Sequence, residues 1–436
     1  MNITNIEIRI EGESVFRVIN DFQIRLSAND HGLMIIQGIA MPDFEIEYEH
    51  MYKKTIDLEL LLEGQESFLF KGVIQEIEIF RNHEYREVSV KAMTGTCLID
   101  EKKKSRSFQN VYETYEEVIK TLIKDIPDSG MISAGGKQKI ERPLIQYEET
   151  DWEFIKRLAG LAGVAVVPEL KSGLPKFWFG MREGKEKRKI SDFTGKTMIH
   201  NRYQTKNIGQ RNGVSYVIRE KPGMEIGDKV VIDEREWSIY QIEGELLAGE
   251  MIFKYWLGDK QMGVQEKISK TGRSGMALKG CVEKTECERV YVRLDIDGEN
   301  GHGGYAYEYK PITGQIMHCM PEKGTEVSLH YISADERDAV IMDNIGWSKD
   351  SITTSDSSQK RLETDHDKSL FLFPSVMGLS STDQSGKMSR FMLADRDHIL
   401  LESGMNITIT ANGPVTMNAS TIQVQVPSSI EIIQRG

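Results

Sequence analysis

The sequence predicts a mainly β protein: two β-barrel-like domains separated by a two-helix insert, then an OB-fold barrel and a short C-terminal intertwined β-helix or prism. Over most of the 436 residues, apolar and polar side chains alternate between turns, as in antiparallel strands. Helical spacing is confined to one internal stretch, residues 96–163. The final stretch returns to very short two-faced runs. At roughly 150 residues per domain, the length favours about three domains.

Composition restricts the partners and the compartment. Lys plus Arg is 55 and Asp plus Glu is 67, so the formal net charge is −12. An acidic chain argues against nucleic acid or an anionic membrane as the main partner. The four cysteines are too few for a disulfide framework, and they fit synthesis in a reducing cytoplasm; they are Cys97, Cys281, Cys287 and Cys319.

The N-terminal stretch "MNITNIEIRIEG" has neither a basic region nor an apolar core, so we expect no signal peptide. The longest near-apolar stretches, "GLMIIQGIAM" and "LAGLAGVAVV", are much shorter than the roughly 20 residues of a membrane helix. If the protein leaves the cell, we expect a route other than a standard secretory signal.

Residues 1–95 alternate throughout, beginning with Ile6, Ile8 and Ile10 and continuing in "FLFKGVIQEIEIF" and "REVSVKA". This period of two predicts the first β-domain, an antiparallel sandwich or barrel.

The insert at residues 96–163 begins with a helix in "NVYETYEEVIKTLIKDIP". Thr114 and Glu117 have the spacing of a capping box, in which each side chain bonds to the other residue's backbone N–H. An apolar stripe follows at helical spacing, and Pro127 ends the helix.

The second predicted helix follows in "EETDWEFIKRLAGLAG". Thr150 and Glu153 form another capping box, while Gly160 and Gly163 are candidates for the helix end. Capping explains the carboxylate of Glu153, which favours a structural helix over a catalytic one. A buried strand is predicted at Val164–Val167.

Alternation resumes over residues 164–262, which predicts the second β-domain. Residues 272–346 form a more compact unit, with "VYVRLDI" alternating cleanly and turn-strand pairs in "MPEKGTEVSLHYIS" and "RDAVIMDNI". About five strands in so short a segment predict a small OB-like barrel.

Residues 347–395 are rich in Ser, Thr and Asp, which favours a linker or irregular segment, interrupted by "LFLFPSVMG". Residues 396–436 carry alternating apolar positions in runs too short to bury their apolar face within one chain. Several chains winding about one axis would supply the missing neighbours; the alternative is a single hairpin docked on the body. The predicted core positions of this needle are Met405, Ile407, Ile409, Val415, Met417, Ile422, Val424, Val426, Ile430 and Ile432.

Several stretches together resemble the VgrG-like spike proteins of type VI secretion and phage-tail-like contractile injection systems. They are "FKGVIQEIEI", "SRSFQNVYETYEEVIKTLI", "LIQYEETDWEFIKRLAGLAGV" and "MPEKGTEVSLHYISADERDAVIMDNI". The resemblance covers most of the chain. It implies a homotrimeric baseplate hub of two related β-domains, an OB ring and a β-helical needle, whose helices brace the barrels of three chains.

The resemblance also implies the partners: an Hcp-like tube protein, baseplate components, a PAAR-like tip protein and effector cargo. The target-cell envelope is met only on firing, when the particle acts outside the cell. The implied tip contacts are Ser428, Ser429, Gln434, Arg435 and Gly436. The terminal repeat spans only about 35 residues, so we expect a short needle. We expect no effector domain after Gly436.

No metal site is expected in the OB-like unit, because its candidate ligands lack a C-x-x-C pair; they are Cys281, Cys287, His302, His318 and Cys319. "DIDGENG" lacks the bidentate Glu of a calcium loop, and "GENGHGGYAYEYKP" lacks phosphate-loop spacing. Alternating tyrosines leave open a stacking platform for bases or sugars; they are Tyr305, Tyr307 and Tyr309.

The resemblance thus implies a structural, membrane-puncturing spike, and we expect no catalytic residue, no metal and no cofactor. The first alternative is a cell-wall or polysaccharide hydrolase built on the hub, and the second is a trimeric adhesin fibre. The sequence leaves open whether the machine is a phage tail, a tailocin, a type VI apparatus or an extracellular particle.

Overall fold

A computed structural model forms two compact units, Met1–Gly346 and Trp347–Gly436, which are described separately. It describes residues 5–10, 12–42, 55–62, 65–81, 84–184, 187–190, 195–197, 215–220, 222–259, 262–268, 273–311, 319–344, 358–364, 366–396, 398–426, 428–429 and 431.

The first unit contains a sheet to which both predicted β-domains contribute. The strands before the insert are β1 (Asn5–Ile10), β2 (Glu13–Ser14), β3 (Phe16–Ser27), β4 (Leu33–Ala40), β5 (Thr55–Leu62), β6 (Gln65–Arg81) and β7 (Arg86–Thr94). The insert contains β8 (Lys103–Phe108), α1 (Tyr115–Ile123), β9 (Gly130–Ser133), β10 (Leu144–Thr150) and α2 (Asp151–Ala162). The strands after it are β11 (Val166–Pro168), β12 (Lys176–Phe179), β13 (Lys187–Lys189), β14 (Gly195–Thr197), β15 (Ser215–Glu220), β16 (Lys229–Ile232), β17 (Arg235–Leu247) and β18 (Glu250–Gly258).

The two β-domains are joined edge to edge in one sheet. Its order is β14-β15-β18-β17-β3-β4-β7-β6-β5-β1-β2, with β13 and β16 attached beside β17. The joining pair is β17 with β3, antiparallel, with Ile242 opposite Leu26. Both side chains are fully buried, because alternate positions on every strand face one shared apolar core.

The insert has its own core and contains strands that the helical pattern did not predict. Strand β8 pairs with β10, and β9 runs parallel to β12 in a three-stranded sheet with β11. Both helices begin where the sequence predicts them, but α1 ends at Ile123, before the predicted stop at Pro127. The predicted strand after α2 forms as β11, buried at each of its three residues.

The OB-like prediction is confirmed by a closed five-stranded barrel. Its strands are β19 (Ala277–Glu286), β20 (Arg289–Leu294), β21 (Ala306–Tyr309), β22 (Glu326–Tyr331) and β23 (Ala339–Asn344), in the order β19-β20-β21-β23-β22. Short 3-10 turns at Gly95–Ile99, Asp295–Asn300 and Glu336–Asp338 complete the first unit among the described residues.

The second unit corrects the prediction of a linker over residues 347–395. It is an antiparallel meander of β24 (Lys360–Thr364), β25 (Lys368–Phe373), β26 (Val376–Thr382), β27 (Met388–Ala394) and β28 (Ile399–Ser403). Its Ser, Thr and Asp residues concentrate in turns and at strand ends, so overall polarity concealed the alternation of "KSLFLF" and "MSRFMLA".

Beyond β28, residues 404–426 are placed but lie in no strand of this chain, and all their side chains are exposed. Of the predicted needle core, Ile430 and Ile432 lie outside the described residues. The mainly β fold class is therefore confirmed, while the trimeric needle remains a prediction. Among the described residues, no helix is long and apolar enough to cross a membrane.

Gly160 is not the end of α2, as one predicted option had it. The helix continues to Ala162, and Gly163, with φ of 69°, caps it in the left-handed conformation that glycine adopts readily. Gly160 instead allows close packing, since a Cβ there would lie 2.5 Å from the backbone oxygen of Glu266.

We expect Gly160→Ala to lower the free energy of unfolding by about 1–3 kcal/mol through overpacking. The loss should appear although alanine favours the helix by up to about 1 kcal/mol. Urea unfolding at a fixed protein concentration measures it. Gly130→Ala is the control, because its Cβ would meet only the flexible Lys176 side chain, at 3.4 Å. Equal stability of both variants would contradict this packing account.

Candidate functional site: the joint between the helical insert and the barrel

Helix α2 contacts three other parts of the first unit. Its first turn carries Asp151 and Trp152, both buried, against β8, β10 and the sheet. Farther along, Lys156 reaches the β3–β4 turn and Arg157 reaches the barrel. A helix with partners on three sides must begin at a fixed residue, which explains why the sequence marks its start and its end so clearly.

The capping boxes predicted from sequence are both formed. The Thr150 hydroxyl accepts from the Glu153 N–H at 3.1 Å, and the Glu153 carboxylate accepts from the Thr150 N–H at 3.2 Å. The same reciprocal pair joins Thr114 and Glu117 at the start of α1. Such caps satisfy backbone donors at the first turn, and losing one typically costs about 1 kcal/mol.

On the sheet side, Trp152 packs between two rings. It stacks on His31 with centroids 4.7 Å apart and meets Phe177 edge-on at 5.8 Å. The His31 ring also contacts the Thr96 hydroxyl at 2.8 Å and the Asp100 carboxylate at 3.2 Å. The β3–β4 turn is thereby held against α2.

Asp100 connects this contact to the helix cap, since its carboxylate also accepts from the Thr150 hydroxyl. Burial acts to raise the pKa of the Asp100 carboxyl. The hydrogen bonds from His31 and Thr150, with the charges of His31 and Lys156, outweigh burial and hold that pKa below its usual value. The carboxylate therefore stays ionised at neutral pH and remains an acceptor for both groups.

On the barrel side, two arginines and two glutamates form a buried square of charges, which we call the charge square. Arg157 of α2 donates to Glu149 at 3.0 Å and to Glu336 at 2.6 Å. Arg273, which lies just before the first barrel strand β19, donates to Glu149 at 2.9 Å and also to Glu336. All four side chains are at most 5% exposed.

The charge square is neutral overall, with each carboxylate shared by both guanidinium groups. Burial and the like charge of Arg157 lower the pKa of Arg273, while Glu336 and Glu149 oppose that shift. Arg157 also donates to the Ile145 carbonyl at 2.6 Å. Isolated buried charges are very costly, so the square persists only while insert and barrel stay together.

A second set of contacts fixes strand β8 and the loop after it to the barrel. The Asp297 carboxylate accepts from both the N–H and the hydroxyl of Ser107, each at 2.5 Å. The Gln109 side-chain amide donates to the Val292 carbonyl at 3.0 Å. A Cβ on Gly304 would lie only 3.0 Å from the Gln109 backbone.

These contacts explain two motifs that the sequence left without a role. "DIDGENG" supplies Asp297, whose oxygens both bind Ser107, and "GENGHGGYAYEYKP" supplies glycines that let two backbones approach. Burial raises the pKa of the Asp297 carboxyl, partly opposed by the Ser107 hydrogen bonds. Among the described residues, neither motif contributes to a group of three or more potential metal ligands.

A stacking platform of all three tyrosines is not formed. Tyr307 is 1% exposed inside the barrel, and Tyr305 and Tyr309 are half-buried against the same core. The Tyr307 ring therefore offers no surface to a base or sugar. Within the described part of the chain, the possible metal ligands form no group of three or more. His318 lies outside that part.

The most hydrolase-like arrangement among the described residues is Thr96, His31 and Asp100. Thr96 is fully buried, and its hydroxyl also contacts that of Thr94 at 3.0 Å. A nucleophile must reach its substrate, so these groups hold a turn in place rather than form an exposed catalytic centre.

The comparisons place this joint within a known architecture. Residues 32–179, which span β4 to β12 and include α2, match the family model of the phage tail baseplate hub (GPD). The match covers 148 of the 436 residues. This match, with the similar solved structures described next, confirms the resemblance to VgrG-like spike proteins that the sequence predicts.

The chain is similar in structure to the E. coli c3393 protein, a component of the type VI secretion system with structural similarity to the T4 bacteriophage tail proteins gp27 and gp5. The TM-score is 0.57 at 13% identity, over 77% of this chain and 99% of that one. It is also similar to the Francisella PdpA–VgrG complex. The lidded form gives a TM-score of 0.57 at 10% identity, over 88% of this chain and 76% of that one. No curated protein sequence matches the chain.

The sequence predicts α2 and its capping box but gives no indication of the charge square. Arg157 was visible only as a basic residue toward the helix end. Its partner Glu336 is 179 residues away, in the 3-10 turn between β22 and β23. The one available signal was Glu149, an acidic residue directly before a capping threonine.

We expect Arg157→Met to lower the free energy of unfolding by about 3–5 kcal/mol, because Glu149 and Glu336 would then share one buried arginine. The control is Arg337→Met, whose guanidinium pairs with Asp335 at the surface and should contribute at most about 1 kcal/mol. Urea unfolding at fixed concentration compares them. Similar losses in both variants would show that the charge square does not hold the joint.

We expect the stability advantage of wild type over Asp297→Asn to be larger at pH 4 than at pH 7. The folded protein binds the Asp297 proton more tightly than the unfolded chain does. This contribution to stability therefore falls as pH rises from about 4, the ordinary Asp pKa, through the raised value. The Asp297→Asn variant has no carboxyl group at this position, so its stability lacks this dependence on pH. Melting temperatures across that range test it, and an advantage that grows with pH would have the wrong sign.

Proposed function

We propose that this protein is the structural hub and membrane-puncturing spike of a contractile injection system. It acts without catalysis, transmitting sheath force along the axis of a homotrimer and carrying a tip protein. The observation that carries the proposal is the joint at α2, where the charge square ties the insert to the barrel and the stacking of Trp152 on His31 ties α2 to the sheet.

Force transmission requires that the barrel does not move on the hub. A surface ion pair contributes little and yields easily, whereas separating the charge square would expose four buried charges. The contacts of Ser107 with Asp297 and of Gln109 with Val292 add a second attachment to the same barrel. Two separate attachments resist rotation as well as separation.

The needle follows from the C-terminal pattern. The described core positions alternate with polar residues and have no strand partner within their own chain. Winding with two further copies would cover them, and a fully buried aliphatic side chain contributes roughly 1.5–3 kcal/mol. This favours three chains around one axis, with Gln423 and Gln425 outward.

The partners follow from the proposed role. An Hcp-like tube protein and baseplate components would meet the hub, and a PAAR-like tip protein would sit on the end of the needle. Ser428 and Ser429 remain proposed tip contacts. Gln434, Arg435 and Gly436 lie outside the described residues. Synthesis in the cytoplasm, assembly into the particle and release on firing belong to the same proposal.

We expect Val424→Asp to abolish capture of the tip protein while the hub stays trimeric. Three carboxylates would meet near the axis, where desolvation and like-charge repulsion are costly. Gln425→Asp is the matched control, because its side chain would point outward. Pull-down of a PAAR-like protein with light scattering of the same samples measures both properties.

A chain ending at Thr421 should behave like Val424→Asp. Full tip binding by the shortened chain would contradict the needle assignment. Loss of tip binding in both Val424→Asp and Gln425→Asp would contradict it as well, because the added charge would then act whichever way the side chain points.

A further inference from the structure

Two tyrosines flank one strand inside the barrel. Tyr331 of β22 lies directly opposite Ala339 of β23. On the other side of β23, Glu308 is aligned with Val340 in parallel pairing, which places Tyr307 beside the same alanine. Aligned residues of neighbouring strands share a face, so both rings point into the barrel with only a small side chain between them.

This level of the barrel is next to the charge square. Ala339 directly follows the 3-10 turn Glu336–Asp338, which carries one of the four charges. The insert covers this part of the barrel, since Ile145, whose carbonyl accepts from Arg157, is fully buried within the barrel core. Both tyrosines are 1% exposed, so the space between them is closed to bulk solvent.

The hydroxyls of Tyr307 and Tyr331 have no hydrogen-bond partner among the described residues. Buried polar groups are nearly always hydrogen-bonded, either to the protein or to ordered water. Tyr255, which is equally buried in the large sheet, follows this rule because its hydroxyl bonds to the Met224 backbone. Two unpaired hydroxyls at one level of the barrel therefore indicate a partner that they share.

Glu336 supplies an acceptor near both hydroxyls. Burial raises the pKa of both phenols, and the negative charge of Glu336 raises it further. Each phenol thus lies within electrostatic reach of the carboxylate, although neither hydroxyl bonds to it directly. Within the described part of the chain, Arg157 and Arg273 both donate to Oε1 of Glu336, which leaves Oε2 as an acceptor. Polar groups that are close but not in direct contact are commonly bridged by water.

The insert side of the joint has unpaired polar atoms as well. Oε1 of Gln109 and Nε of Arg142 are buried without a hydrogen-bond partner in the described residues. The Gln109 amide reaches Val292 of the barrel, and the Arg142 guanidinium lies 3.6 Å from Asp335, next to Glu336. Polar atoms that need a further partner therefore occur on both sides of this joint.

We propose that the space beside Ala339 is a binding site for buried water, which bridges the hydroxyls of Tyr307 and Tyr331 and donates to Oε2 of Glu336. Water suits the site because it both donates and accepts and takes two to four polar partners. A larger ligand has no open route to side chains buried this completely. The bridge extends the hydrogen bonds of the charge square into the barrel core, whatever the role of the whole protein.

Replacing each tyrosine by phenylalanine tests the sign of the hydroxyl's contribution. Tyr307→Phe and Tyr331→Phe should each lower the melting temperature of the full chain by roughly 2 °C, because the water loses a partner. If the hydroxyls were simply unpaired, removing one would raise the melting temperature, since an unmatched buried polar group destabilises the fold. A rise in both single variants therefore overturns the proposal.

Water oxygen-17 relaxation dispersion of the full chain counts the waters that the protein holds for long times. The double variant Tyr307→Phe/Tyr331→Phe should hold fewer than wild type. Tyr255→Phe is the matched control and should hold the same number, because its hydroxyl already has a protein partner. Equal counts in wild type and the double variant overturn the site, even if the melting temperature falls.

A crystal structure of the wild-type protein provides the same test without a variant. Water density within about 3.2 Å of both tyrosine hydroxyls supports the site. A dry space beside Ala339 overturns it.

Discussion

The structure of the first unit depends on the buried square of Arg157, Glu149, Arg273 and Glu336. Each part supplies one pair of opposite charges, Glu149 with Arg157 from the insert and Arg273 with Glu336 from the barrel segment. The contacts of Arg157 with Glu336 and of Arg273 with Glu149 join the two pairs across the joint. Taking charges out of water is costly, and the contacts across the joint add to what offsets that cost. The square therefore gives the joint specificity: one arrangement satisfies it, and small displacements do not.

The other features of the joint serve that arrangement. The capping box of Thr150 and Glu153 fixes where α2 begins, and therefore the level at which Arg157 faces the barrel. Gly160 and Gly304 allow backbones to approach where a side chain would separate them. The stacking of Trp152 on His31 holds the other side of α2 against the sheet. A helix of twelve residues thus sets the relation of sheet, insert and barrel.

The sequence predicted the features that depend on local patterns. Period-two alternation located the strands of both β-domains and of the barrel, and the pairs Thr114–Glu117 and Thr150–Glu153 located both helix starts. It missed the charge square, because Arg157 and Glu336 meet only in the folded chain. It also missed the meander, because Ser and Thr at strand ends outweigh a few apolar residues in any compositional average. Fold similarity at 13% identity or less supports the architecture, while the partners remain proposals.

The central claim is that the sheet, insert and barrel of the first unit form one rigid body able to carry axial load. Hydrogen exchange of the full-length protein, followed by mass spectrometry, tests it most directly. If the claim holds, peptides covering residues 144–162, 277–311 and 319–344 exchange slowly and at matched rates, since they open only together. Barrel peptides that exchange much faster than those of α2 would show that the barrel opens independently, and would contradict the account.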